Sequence, residues 1–308
     1  MFKECRKSGK PDLRNEPGTT GGSAVMSSSA NPQTKPRPLA DLSGTILLAG
    51  AGKMGSAMLE GWLALGLAPK NIAVIEPQPS REIAALSARG LRLNASRDAV
   101  GDVAAVVVAV KPQTADEAIP VLAPFVGGAT VVVSIMAGRT LRFLARSLPG
   151  AAIVRAMPNT PAAIGRGMTV AVPNARVSQA QRALVDALLS AVGAVEWVAD
   201  EALIDAVTAL SGSGPAYVFL LAEAMARAGT AAGLPAALAA TLARATVAGA
   251  GELLHRSPLD AATLRQNVTS PGGTTAAALE VLMAEGGLER LMTAAIAAAT
   301  KRSRELAG

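Results

Sequence analysis

The sequence predicts an α/β domain built on a parallel sheet, followed by an all-helical domain. Three observations predict it. Short Val-rich runs alternate with helical patterns through the first half of the chain. Strand patterns nearly stop after Ser178. Half of the residues are hydrophobic and only 17% are charged, so most of the 308 residues should fold. Continuous apolar runs are the habit of strands covered by helices on both faces, and this length allows two domains with cores of their own.

The runs follow in order. TILLAG (45–50), IAVIE (72–76), AVVVAV (105–110) and TVVVSI (130–135) read as strands, with helical patterns such as 54–65 and 81–89 between them. IVRAMPN and GMTVAVPN add two candidate strands. Beyond them, 179–192, 200–211, 216–229, 235–254, 260–267, 274–285 and 287–306 read as helices, punctuated by Gly-Leu-Pro (233–235) and Arg-Ser-Pro (256–258). The expected layout is a tail over 1–43, a sheet domain over 44–175 and a helical domain over 176–308. Several of the late helices are apolar nearly all round, 295–300 among them. Such helices must be buried, and pairing with a second copy of the chain hides them.

Composition excludes several classes of function. Aromatic residues are 2% of the chain, so the core must be built from Ala, Val, Leu, Ile and Met. Residues 1–43 are rich in Gly, Ser, Pro, Lys and Thr without periodicity, which predicts disorder. Acids at Glu4, Asp12 and Glu16 argue against a transit peptide there, and Met26 is an alternative start. The tail carries seven cations and four acids, a net +3 of the total +6, and the body has no basic run with interleaved aromatics. Nucleic acid is therefore not the expected partner. The 21 uncharged residues of 118–138 imitate a membrane span, but Pro120, Pro124, Gly127 and Gly128 break it, so no membrane partner is expected. One cysteine, Cys5, leaves no internal disulfide, and a cytoplasmic setting is expected.

The chemistry begins at TILLAGAGKMGSAML. Gly50, Gly52 and Gly55 have the G-x-G-x-x-G spacing, after a strand and at the start of a helix. Gly50 suits the tight turn, Gly52 leaves room for a pyrophosphate, and Gly55 lets helix and strand pack closely. Amides near Lys53 and Met54 would face the phosphates with the helix dipole behind them. Glu76 closes the second strand 21 residues after Gly55, where an acid accepts from the ribose 2′-hydroxyl of NAD and repels the 2′-phosphate of NADP. Arg81 could offset that charge, but Pro77 and Pro79 restrict the loop between them. These residues by themselves favour NAD.

Five stretches then form one pattern: GAGKMGSAML (50–59), VKP (110–112), RAMPNTPAAIGRG (155–167), and LSGSGPAY (210–217) with NVTSPGGTT (267–275). Their order and spacing resemble the pyrroline-5-carboxylate reductase family, from about Gly44 to Leu306. The resemblance implies a Rossmann-type domain, then a helical dimerisation domain that intertwines two chains, with dimers often assembled into a decamer. It implies reduction of 1-pyrroline-5-carboxylate to L-proline by NADPH or NADH. It places the cofactor on Gly50, Ala51, Gly52, Lys53, Met54 and Gly55, on Glu76, on Ala109, Val110, Lys111 and Pro112, on Ile135, Met136 and Ala137, and on Asn267. It places the substrate on Glu201, Thr274 and Thr275. Several relatives carry a small polar residue where Glu76 stands, and no ribose contact is assigned to residues 94–100.

The loop NVTSPGGTTAAAL (267–279) contains no acid, base, thiol or imidazole. A cyclic imine needs none, because its C5 is already electrophilic and the cofactor supplies the reductant. The protein has to hold the reacting carbons about 3–3.5 Å apart. Ser270 reads as the N-cap of the next helix and Pro271 as its first residue. Gly272 and Gly273, with the amides of Thr274 and Thr275 if the helix begins later, form a receptor for the substrate carboxylate. Thr275 is the candidate catalytic residue, its hydroxyl reaching the imine nitrogen. A carboxylate at Glu201 would favour the protonated iminium.

Other residues read as structural. Ser211 to Pro215 suit a close-packed helix kink, and Asn159 shapes a loop near the ring. His255, the only histidine, reads as a surface or helix-end residue, and Lys111 as a cation on the cofactor side. No cluster has metal-ligand spacing. Two alternatives stand beside the reductase. A β-hydroxyacid dehydrogenase would need a lysine in the helical domain, and none lies between Lys111 and Lys301. A non-catalytic dinucleotide-binding scaffold would have no use for an intact SPGGTT loop.

Overall fold

The computed structural model describes residues 39–307. One eight-stranded sheet contains β1 (Thr45–Ala49), β2 (Ile72–Ile75), β3 (Arg92–Leu93), β4 (Val103–Val108), β5 (Val131–Ser134), β6 (Ala152–Met157), β7 (Gly167–Pro173) and β8 (Gly193–Trp197). The order is β3-β2-β1-β4-β5-β6-β7-β8. Neighbours run parallel except at β6–β7, which are antiparallel. The chain winds from β1 towards β2 and β3, then returns to the other side of β1 with β4. The strand order reverses between the parallel neighbours β1 and β4, and the crevice at their carboxyl ends is where open α/β sheets bind ligands.

Helices α1 (Lys53–Ala64), α2 (Arg81–Leu86), α3 (Arg97–Val100), α4 (Ala115–Leu122), α5 (Leu141–Ser147) and α6 (Gln179–Ser190) cover the sheet. Alternate residues of the Val-rich strands enter two apolar layers. Ile46, Leu48, Val107 and Val133 pack with Met58, Trp62 and Leu188 on one face. Leu47, Val106, Val108 and Val132 pack with Ile119, Leu122 and Leu144 on the other. Trp62 donates through Nε1 to Leu188 O at 2.9 Å, tying α1 to α6. Residues 118–138 divide into the end of α4, a 3₁₀ turn (Ala123–Phe125) and β5, which removes the resemblance to a membrane span.

Two boundaries differ from the sequence expectation. Residues 39–43 are ordered rather than part of a tail. Leu39 is buried in the core and its N–H donates to Leu65 O at 2.9 Å; the apolar core gives this leucine a reason to order. The remainder of the expected disordered tail lies outside the described residues. The sheet also continues past residue 175, through α6 to β8, which pairs in parallel with β7. GAVEW is short and contains a glutamate, so no apolar run announces it. β3 has two residues and no signal of its own.

The helical part contains α7 (Leu203–Val207), a π turn (Thr208–Gly212), α8 (Gly214–Ala231), α9 (Ala236–Arg256), α10 (Ala261–Asn267), α11 (Thr274–Leu282) and α12 (Leu288–Ala307). α12 returns to α7, where buried Ser303 donates to Asp205 Oδ1 at 2.7 Å. α8 and α9 pack along one another, yet α8 buries no residue and α9 only Ala239 and Ala243. Phe219 is 64% exposed, and Leu220, Leu242 and Leu253 are exposed as well. By length and composition, Leu203–Ala231 and Ala236–Arg256 are apolar enough to cross a membrane. α10 and α11 have no extensive contact with any other element.

Candidate functional site

The glycine turn has the geometry its spacing requires. Gly50 takes φ +89°, and a Cβ there would lie 2.8–2.9 Å from the backbone of Ala109 and Val110. A Cβ on Gly55 would run into Gly50 O, so the helix can approach the strand only without one. Gly52 faces open space and is the N-cap of α1, with no side chain capping the helix. The first amides of α1 therefore keep their donors for a ligand. Beside the turn lies a cavity of about 600 Å³, lined by Gly50, Gly52, Glu76, Ala109, Val110 and Lys111 among others. These residues fit a dinucleotide: an amide-rich helix start for phosphate and an acid one strand over for ribose.

Glu76 is fixed by backbone groups. Its Oε2 accepts from Ala51 N at 2.8 Å and its Oε1 from Gln78 N at 3.0 Å. Asn94, which the sequence reading left unassigned, accepts from Glu76 N at 2.8 Å and donates to Glu76 O at 2.9 Å. Ile135, Met136 and Ala137 follow β5 and do not line the cavity. Met136 is buried in the core, while Ala137 is exposed. Pro112 turns its carbonyl to Arg139, whose Nη2 donates at 2.8 Å. Lys53 is exposed and Met54 half-buried at the start of α1.

The SPGGTT loop differs from expectation at one point. Ser270 is not the N-cap. Its carbonyl accepts from Gly273 N at 3.1 Å, closing a turn in which Gly272 has φ +69°. Proline second and a positive-φ glycine third is the chemistry of a type II turn, and it wins over the capping serine. The helix begins later: Gly273 caps α11 and Thr274 is its first residue. The first intrahelical bond to Gly273 O comes from Ala277 N at 3.2 Å, so Thr274, Thr275 and Ala276 present amides without intrahelical acceptors. Thr275 is half-buried, and neither threonine hydroxyl has a partner among the described residues. None of residues 267–275 lines the cavity beside this chain's own glycine turn.

Glu201 has a different setting. Its Oε1 accepts from Leu141 N at 2.8 Å and from Arg155 Nη1 at 2.7 Å. The Arg155 side chain is 5% exposed and that of Glu201 28%. Arg155 was missed in the sequence; its signal is a lone charge inside the apolar strand IVRAM. Asn159 donates to Ser211 Oγ at 3.2 Å and accepts from Met168 N at 2.9 Å, so its amide is spent on the fold. Ser211 and Gly212 lie in the π turn, with Met157 pressed against Gly212. His255 lies in the last turn of α9, its Nε2 2.6 Å from Arg166 Nη1. Beside it Arg256, hydrogen-bonded to Glu252 at 2.6 Å, holds that carboxyl below its usual range, with the charges of Arg166 and His255 adding. Among the described residues no group of His, Cys, Asp and Glu could hold a metal ion.

Residues 201–306 match a family model described as pyrroline-5-carboxylate reductase dimerisation, and residues 45–138 match one described as NADP oxidoreductase coenzyme F420-dependent. The pyrroline-5-carboxylate reductase of Synechocystis sp. is 43% identical over 261 residues, covering 83% of this chain and 96% of that one. That of Pisum sativum is 38% identical, covering 87% and 98%. The structure of a pyrroline-5-carboxylate reductase from Coxiella burnetii superposes with a TM-score of 0.79 at 34% identity, covering 86% and 99%. That of the Plasmodium falciparum enzyme with NADP bound does so at 0.72 and 27%, covering 86% and 99%.

Proposed function

The chain belongs to the pyrroline-5-carboxylate reductase family and is an NAD(P)-dependent reductase of 1-pyrroline-5-carboxylate, and from that premise we propose how its residues divide the work. The start of α11 carries the reading: uncapped amides at Thr274, Thr275 and Ala276, two glycines before them, and no charged side chain from 267 to 279. An anionic handle on a small ring needs such a receptor, and a positive helix end favours it.

The dinucleotide would be held by the amides of Gly52, Lys53 and Met54, with Glu76 at its ribose and Ala109 to Pro112 beside its nicotinamide half. Ile135 to Ala137 and Asn267 would complete that half. When bound in reduced form, it supplies hydride to C5 of the imine. Thr274 and Thr275 would seat the carboxylate, with Ser270, Gly272 and Gly273 shaping the loop. The Thr275 hydroxyl would bond the ring nitrogen and orient it while that nitrogen holds its proton. Glu201 would act at one remove. Its bond to Arg155 fixes the start of α7, and so the π turn that follows.

Residues 267–275 lie apart from their own chain's cavity, and α8 to α11 leave much apolar surface uncovered. Both facts favour a site completed by a second copy, whose α11 meets the first copy's glycine turn. A homodimer, with further assembly as far as a decamer, in a cytoplasmic setting and without nucleic acid or membrane, is the arrangement we favour.

The test is the oxidation of NADH and NADPH on adding 1-pyrroline-5-carboxylate to purified wild type, Thr275→Ser, Thr275→Ala and Thr275→Val. We expect activity in wild type, most of it kept in Thr275→Ser, and a fall of about 10²-fold in kcat/KM for Thr275→Ala and Thr275→Val. An unchanged kcat/KM in Thr275→Val would remove the hydroxyl from the mechanism. No oxidation by wild type would remove the function.

A further inference from the structure

The carboxylate of Glu76 cannot step aside easily. Swinging it away would strand the N–H groups of Ala51 and Gln78, which it accepts at 2.8 and 3.0 Å. Bonds from amides to a carboxylate are among the stronger neutral-to-charged pairs. The main chain of Glu76 is locked as well, by the two bonds to the Asn94 amide at 2.8 and 2.9 Å. Asn94 has φ +51° and is the single non-glycine residue with positive φ among the described residues. Asparagine takes that conformation more readily than most. Four hydrogen bonds thus join the glycine turn, the end of β2 and the segment after β3 into one frame around an acid.

Among the described residues the cavity wall adds a second acid, Glu117, and offers a 2′-phosphate a single cation, Lys111. Arg81 starts α2 and does not line the cavity. Arg97 is occupied elsewhere, donating to Pro124 O at 3.0 Å and to Gly101 O at 2.6 Å. Each Glu76 oxygen, with one amide bound, keeps acceptor capacity for a ribose hydroxyl.

We infer that this chain prefers NADH to NADPH, and that Asn94 sets the preference as a positioning residue by holding Glu76 against the 2′ position. The inference rests on the dinucleotide reading of the cavity. A like-charge contact of this kind weakens NADPH by roughly tenfold or more. Glu76→Ser removes the acid and should bring the two coenzymes within a few-fold of each other. Asn94→Gly keeps the left-handed backbone without strain and removes only the amide. It should narrow the ratio several-fold. Asn94→Ser, which can still accept from Glu76 N, should retain more of the ratio than Asn94→Gly.

The experiment is calorimetric titration of the whole chain and these variants with NADH and NADPH, alongside ADP-ribose and 2′,5′-ADP as fragments. Wild type binding NADH and ADP-ribose about tenfold or more tighter than their 2′-phosphorylated counterparts supports the inference. Equal or tighter binding of NADPH overturns it while leaving the reductase intact. Asn94→Gly weakening both coenzymes alike removes the positioning role. Failure of both coenzymes to bind wild type would sink the dinucleotide reading itself.

Discussion

Truncating Glu201 to alanine strands a charge. Arg155 sits on β6 with its side chain 5% exposed, and the Glu201 carboxylate 2.7 Å away is its one ion-pair partner among the described residues. The same oxygen accepts from Leu141 N, the first residue of α5, at 2.8 Å. Removing one partner of a buried pair costs about 3–5 kcal/mol, because the survivor keeps its charge without water. Glu201 is 28% exposed, so solvent enters part of the gap and the lower end, about 3 kcal/mol, is the better figure. For a chain of this size that lowers Tm by roughly 5 °C. Thermal unfolding at one fixed protein concentration measures it, since self-association couples to Tm. Replacing both residues, Arg155→Met with Glu201→Leu, should recover most of the loss, as apolar pairs of similar volume often do. A shift below about 2 °C in the single variant, or a double variant as unstable as the single, would refute the reasoning.

Three more outcomes follow from particular contacts. Gly55→Ala places a methyl against Gly50 O, so overpacking should cost about 1–3 kcal/mol and calorimetry should show weaker NADH binding. Phe219→Glu puts charge on the uncovered face of α8; sedimentation should show loss of self-association, and reductase activity should fall with it while NADH still binds. Asp260 caps α10, its Oδ1 accepting from Thr263 N at 2.8 Å, and that bond, followed by one from the Thr263 hydroxyl, lowers its pKa from the usual 3.8. A lowered acid stabilises fully above its unfolded value and loses that stabilisation as pH falls through the folded one. Protection of the α10 amides against hydrogen exchange, relative to the intrinsic rate at each pH, should therefore fall below about pH 4, and in Asp260→Ala it should be low at neutral pH too.

The fold was legible where periodicity is strong. Continuous valine runs such as AVVVAV have no other economical reading, and the helices after 200 were placed to within a few residues. β8 was not legible, because GAVEW borrows its burial from β7 and α6 rather than from an apolar pattern of its own. The glycine turn was legible because its glycines answer to backbone geometry alone. Ser270 misled because a good capping residue there competes with a Pro-Gly turn, and only the backbone decides between them. Arg155 and Asn94 were invisible for another reason: their partners Glu201 and Glu76 are 46 and 18 residues away, and no local pattern records such a pairing.

The central claim is that a neutral helix start receives the substrate carboxylate while the glycine turn of a second chain holds the coenzyme. A crystal structure of the assembled protein with L-proline and oxidised coenzyme measures it directly. The proline carboxylate is expected on the amides of Thr274 to Ala276, its C5 facing the nicotinamide seated on the partner protomer. Proline bound away from residues 270–276, or turned from the nicotinamide, would contradict it.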